Sequence, residues 1–180
     1  MVSLAALWLP ILAAAVIVFL ASSFLHMALK YHRTDYGLVK SEERVMDALR
    51  PSSIAPGDYM VPCPGMGSPQ SPEFLARMKQ GPVVLVTVLP SGPVAMGGTL
   101  AAWFLYCVIV GLFAGYLTSR ALPAGAPYLA VFRFAGTVAF AGYALALWQH
   151  TIWYKRSWMT TLKSNIDGLV YALLTGGVFG

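Results

Sequence analysis

Leu100-Ala-Ala-Trp-Phe-Leu-Tyr-Cys-Val-Ile-Val-Gly-Leu-Phe-Ala-Gly-Tyr-Leu-Thr-Ser119 carries no charged side chain, and the charge-free run around it extends from Gln80 to Ser119. A bilayer core about 30 Å thick is crossed by roughly twenty mostly apolar helical residues, so this stretch reads as a transmembrane helix. Outward from it the pattern recurs. Met1 to Leu29 has no Asp, Glu, Lys or Arg, and Phe134 to Tyr154 is also free of them. Of the whole chain, 58% is hydrophobic and 11% charged, where a globular domain holds about 25% charged residues. Charges gathered into separate blocks mark a polytopic membrane protein.

The predicted fold is an all-α membrane protein forming a single domain over residues 1–180. Its four spans lie at about 4–29, 100–119, 128–149 and 160–180. The first run has no basic segment ahead of it, and Lys30 and Arg33 follow it, the reverse of a secretory signal, so it is expected to persist as a helix. Pro10 falls near the start of that helix, where a missing N–H matters least. The fourth span requires Lys163 to snorkel towards the headgroups, and the end at Gly180 then needs water or a covering partner.

Lysine and arginine placement sets the orientation. Residues 30–95 and 150–163 hold ten of the twelve basic side chains, and only Arg120 and Arg133 fall on the opposite side. The positive-inside rule therefore puts both loops in the cytoplasm of a bacterial inner membrane and both termini in the periplasm. The net charge of +5 is explained by these anchors, and nucleic acid is not expected as a partner. Trp8, Trp103, Trp148, Trp153 and Trp158 are read as interfacial anchors, since indole favours that depth.

The long loop, 30–95, is proline-rich: nine of twelve prolines lie between Pro51 and Pro93. Two short amphipathic helices are legible in it. Ser41 to Arg50 starts on a Ser cap with Glu42 and Glu43 in its first turn, and Pro51 stops it. Ser71 to Gln80 has Ser71 as cap, Pro72 at the first helical position and Gly81 as terminator. Pro56 to Pro69 reads as irregular. Val83 to Leu89, mainly β-branched and bounded by Pro82 and Pro90, reads as one extended segment. A lone strand leaves its backbone groups unpaired, so it calls for a neighbour in this loop or on another subunit.

The chemistry is sparse. Hydrolase, zinc-protease, P-loop and dinucleotide motifs are absent from the sequence, so no catalytic residue and no metal ligand is assigned, and the chain is not expected to be an enzyme. Cys63 and Cys107 form no pairing or ligand pattern. His26 and His150 are the weak candidates for cofactor binding. His26 shares a helix face with Ser22 and Ser23. A helix-borne imidazole near an interface can ligate a metal, a haem or a pigment magnesium. No HxxxH or ExxH spacing accompanies it, so hydrogen bonding at the interface is the expectation, and no cofactor is predicted beyond lipid contacts. Asp167 is expected to pair with Lys163 one turn earlier. Gly111 and Gly115, Gly136 and Gly142, and Gly176 and Gly180 give the spans small-residue faces suited to helix docking.

Ser22-Ser-Phe-Leu-His26, Tyr31-His-Arg-Thr-Asp-Tyr36, Pro56-Gly-Asp-Tyr59, Thr87-Val-Leu-Pro-Ser-Gly-Pro93 and Ala146-Leu-Trp-Gln149 resemble segments of a group of small bacterial polytopic inner-membrane proteins with no assigned activity. The resemblance implies membrane residence and nothing catalytic. The expected function is a non-catalytic accessory or scaffolding subunit of a larger integral-membrane assembly, possible hosts being a photosynthetic reaction centre with its antenna or a respiratory complex. Its partners would be lipids and other membrane subunits. The alternative is a small membrane enzyme or carrier for an apolar molecule, with its site at the cytoplasmic helix ends.

Overall fold

The computed structural model describes residues 2–93 and 95–180. It divides into two compact units, one built from the two ends of the chain (Met1–Tyr36 and Ala95–Gly180) and one from the intervening Gly37–Val94. The order of elements is α1 (Trp8–Met27), α2 (Glu42–Leu49), β1 (Gly57–Val61), α3 (Pro72–Gln80), β2 (Val84–Val88), α4 (Met96–Ala121), α5 (Tyr128–Tyr143), α6 (Trp148–Ile152) and α7 (Trp158–Phe179).

In the first unit α1, α4, α5 and α7 pack into a bundle. Three stretches, Leu4–Met27, Met96–Ala121 and Tyr128–Ile152, are helical, long and apolar enough to cross a membrane, the mark of a membrane protein. On α1 the buried side is Ile11, Ala14, Ala15, Val18 and Ser22, while Leu9, Leu12, Leu20 and Phe24 are exposed. A helix apolar on both its packed and its open face is built for a hydrocarbon surround rather than water.

Small residues let these helices approach. A Cβ added at Gly111 would lie 3.3 Å from the Ile11 carbonyl oxygen on α1, and one at Gly136 would lie 3.3 Å from that of Ala172 on α7. At Gly115, Gly142, Gly176 and Gly180 it would meet Phe179, Val110, Phe132 and Tyr128 at 3.2 Å or less. All six sequence-selected glycines thus sit at close approaches within this one chain. The core between the helices is Val18, Cys107, Val110, Ala139, Tyr143 and Tyr171.

The third apolar stretch is not one continuous α-helix. It breaks at Ala144 (φ −126°, ψ −48°), passes through a 3-10 turn, Leu145–Leu147, and resumes as α6. Two neighbours account for the break. The Tyr106 hydroxyl donates to the Gly142 carbonyl at 2.6 Å, occupying an acceptor that regular helix would give to a backbone N–H. Gly168 of α7 also comes so near that a Cβ there would lie 2.8 Å from that of Ala144.

α7 distributes its residues differently. Thr160, Thr161, Asn165, Asp167 and Thr175 are buried, whereas Leu162, Ile166, Leu169 and Leu173 are exposed. These polar groups face the bundle, while Leu162, Leu169 and Leu173 face out and Leu174 packs against the core. Asn165 and Thr175 return hydrogen bonds to backbone carbonyls one turn back, which satisfies polar groups without a partner helix.

In the second unit the extended segment has found its neighbour. β2 pairs antiparallel with β1, with Gly57 opposite Val88 and Val61 opposite Val84. One correction follows: Pro56–Pro69 is not wholly irregular, since it contains β1. Of the two neighbours open to Val83–Leu89, the one within the loop is found. The fold therefore holds a two-stranded sheet beside its helices rather than one isolated strand. Asp58 and Thr87 reinforce the pair through a side-chain hydrogen bond of 2.6 Å. α3 begins as expected: the Ser71 hydroxyl accepts from the Phe74 N–H, Pro72 opens the helix, and Gly81 ends it at φ +62°. α2 forms without the anticipated side-chain cap, because Ser41 makes no such bond, and its Val45, Met46 and Leu49 remain exposed.

Candidate functional site: a His–His–Asp cluster between the end of α1 and α7

α1 stops at Met27 and the chain folds back in a tight 3-10 segment, Lys30–Thr34, capped by Asp35. Leu29 is extended (ψ 127°), which ends the helical path of α1, and Tyr31 and His32 lie against α7 through Asp167. His26 is in the last turn of α1, and its ring centroid lies 4.4 Å from that of His32.

His32 is held from two sides. Its Nε2 lies 2.8 Å from Asp167 Oδ2, and its Nδ1 lies 2.7 Å from Asp35 Oδ2. The Tyr31 hydroxyl donates to the second Asp167 oxygen. Lys163 donates to the Tyr31 carbonyl at 2.6 Å, to Thr34 at 2.7 Å and to Asp35 Oδ1 at 3.1 Å. Side-chain exposure at Asp167 is 5%, and at His32 it is 14%. Charges this far from water are tolerated only when paired and hydrogen-bonded, and here each carboxylate oxygen has a polar partner within hydrogen-bond distance. Burial pushes the Asp35 carboxyl upward, but the hydrogen bonds and charges of His32 and Lys163 outweigh it and hold the group below its ordinary range.

Comparison with family models, curated proteins and solved structures gives no match to this chain. Function has to be argued from these side chains.

One sequence expectation changes here. Asp167 does not pair with Lys163 among the described residues; each instead reaches across to the segment after α1, Asp167 to Tyr31 and His32, Lys163 to Asp35. The Lys30–Thr34 turn offers both a partner that the helix cannot. Of the two histidines singled out in the sequence, His26 faces His32, and His150 lies beside Tyr154 with ring centroids 5.7 Å apart.

Among the tryptophans, Trp8, Trp153 and Trp158 are well exposed, and Trp148 contacts Trp158. Trp103 also has contacts within the bundle. Its indole N–H donates to Ser22 at 2.8 Å, and its ring packs beside Tyr106, Tyr143 and Tyr171. A buried hydroxyl acceptor on α1 holds the half-buried ring against the core. Ser22 is also one turn before His26, so this bond braces the helix end that carries the imidazole.

His26, His32 and Asp167 each offer one ligand atom, and these atoms all lie within 4.8 Å of one another. Sequence spacing gave no sign of this, because the donors come from a helix end, a turn and a distant helix. The one signal available was a carboxylate in the apolar α7 together with a histidine in the last turn of a span and another just after it.

Proposed function

We propose that this chain is a bacterial inner-membrane protein with four crossing helices, both termini periplasmic and loops 30–95 and 150–163 cytoplasmic. Its working element is the His26–His32–Asp167 cluster at the cytoplasmic helix ends. The arrangement of α7 supports a fourth crossing: polar residues turn inward and Leu162, Ile166, Leu169 and Leu173 turn outward, as a lipid solvent requires. Ten basic side chains on one side support the orientation.

The reading is that of a small membrane enzyme or carrier, handling a molecule or ion where the bilayer meets the cytosol. The observation that carries it is Asp167, a buried carboxylate on a membrane helix, set between an imidazole and a phenol. Ionisable groups at such depth are costly and mark function. Replacing the chromosomal gene with His26→Ala or Asp167→Asn tests it. His26→Ala should reach the membrane at normal levels, and both variants should reproduce the phenotype of a deletion; wild-type behaviour of both would end this reading.

A second reading, an accessory subunit of a larger membrane assembly, has one observation in its favour. Val45, Met46 and Leu49 form an exposed apolar face on α2, suited to a partner or the membrane surface. The strand and the glycine faces no longer argue for it, since both find partners within the chain. Gentle solubilisation and native mass measurement distinguish the two: stoichiometric protein partners favour the subunit, a lone chain the site.

A further inference from the structure

We propose that the cluster is a binding site for one divalent first-row transition-metal ion, with His26, His32 and Asp167 as its ligands. This rests on the reading of the cluster as the working element and names what it takes.

The donor set selects the ion class. Two imidazoles and one carboxylate suit zinc, iron, nickel or copper, whereas calcium and magnesium favour oxygen alone. Three protein ligands leave a position open for water or substrate, the pattern of reactive rather than structural zinc sites. Metal–ligand bonds of about 2.1 Å place the donors of a tetrahedral site about 3.4 Å apart. The closest pair here, His32 Nε2 and Asp167 Oδ2, is at 2.8 Å, and no pair of donors exceeds 4.8 Å. Side-chain rotation alone spans that difference.

The surroundings are those of a metal site. Ligating histidines commonly give their second ring N–H to a carboxylate, which fixes the tautomer, and ligating carboxylates are themselves hydrogen-bonded. His32 has Asp35 at Nδ1, leaving Nε2 towards the cluster, and Asp167 receives the Tyr31 hydroxyl on its other oxygen. Lys163 in turn steadies Asp35. A bound ion replaces the proton between His32 Nε2 and Asp167. His26 is exposed, which gives the ion a way in.

A purely structural role for His32 and Asp167 would need no His26. Among the described residues His26 makes no side-chain hydrogen bond or ion pair; its ring simply faces His32. His26→Ala therefore separates metal binding from the structural bonds. The full chain in mild detergent, stripped with a chelator, is titrated with Co2+ alone and then challenged with Zn2+. The expected result is one Co2+ per chain, a visible ligand-field band lost on Zn2+ addition, and affinity at least about tenfold weaker in His26→Ala, with metal-free melting unchanged. His26→Gln serves if the alanine variant does not accumulate. No Co2+ binding by the wild type, or equal binding by the variant, overturns the metal. If binding fails while His26→Ala still reproduces the deletion phenotype, the metal falls and the working site stands; if neither effect appears, both fall.

Discussion

His32 and Asp167 lie 135 residues apart in the chain and 2.8 Å apart in the fold. This bond ties the turn after the first helix to the last helix of the bundle, and Lys163 to Asp35 is a second tie between the same two elements.

Removing one partner of a buried pair strands the other. Asp167→Ala leaves His32 and the Tyr31 hydroxyl without their acceptors and is expected to cost about 3–5 kcal/mol. Asp167→Asn, which keeps shape and an acceptor, should cost about 1–3 kcal/mol. Thermal melting in detergent measures both. Equal, negligible losses would show that the tie contributes nothing to the folded state.

Asp35 gives the tie a pH dependence. Its carboxyl is held below the ordinary value in the fold, because the hydrogen bonds and charges of His32 and Lys163 outweigh the upward push of burial. A group depressed in this way stabilises the fold above its unfolded pKa and loses that contribution as pH falls through the folded value. Wild type should therefore melt higher than Asp35→Asn at pH 7, and the gap should close below about pH 4. A gap that widens in acid has the wrong sign.

Neighbouring glycines on α7 should behave oppositely. A Cβ at Gly176 would lie 2.7 Å from the Phe132 carbonyl oxygen, while one at Gly177 has only the Tyr128 hydroxyl, at 3.8 Å. Gly176→Ala must push α5 and α7 apart, at a cost of about 1–3 kcal/mol. Gly177→Ala should be neutral or gain up to about 1 kcal/mol from helix propensity. Melting of the two variants side by side decides it, and a loss at Gly177 equal to that at Gly176 would mean that α5 contact is not the cause.

The Tyr106 hydroxyl holds the break in the third apolar stretch through Gly142. Tyr106→Phe should destabilise by about 1 kcal/mol and raise amide exchange just after Tyr143. Unchanged exchange there would leave the Gly168 contact as the sole cause of the break.

Local signals reached the local structure. The charge-free runs located α1 and α4, and Ser71, Pro72 and Gly81 marked both ends of α3, because caps and apolarity act within a few residues. What escaped depends on distant contacts. β1 has a Gly-Asp start and no alternation to announce it; β2 makes it a strand. The break at Ala144 is imposed by Tyr106 and Gly168, on other helices. The cluster joins His26 and His32 to Asp167 across nearly the whole sequence, where a search for i, i+4 ligand spacing has no purchase. The bond from Trp103 to Ser22 likewise joins two helices, and no local spacing announces it.

Cys63 is exposed and Cys107 buried, so the natural protein carries its own topology probe within the loop between α1 and α4. Intact cells and inside-out membrane vesicles treated with a membrane-impermeant maleimide would report its side directly. With four crossings and a cytoplasmic loop, Cys63 stays unlabelled in cells and labels in the vesicles; labelling in intact cells would contradict that topology and place the His26–His32–Asp167 cluster outside the cytosol.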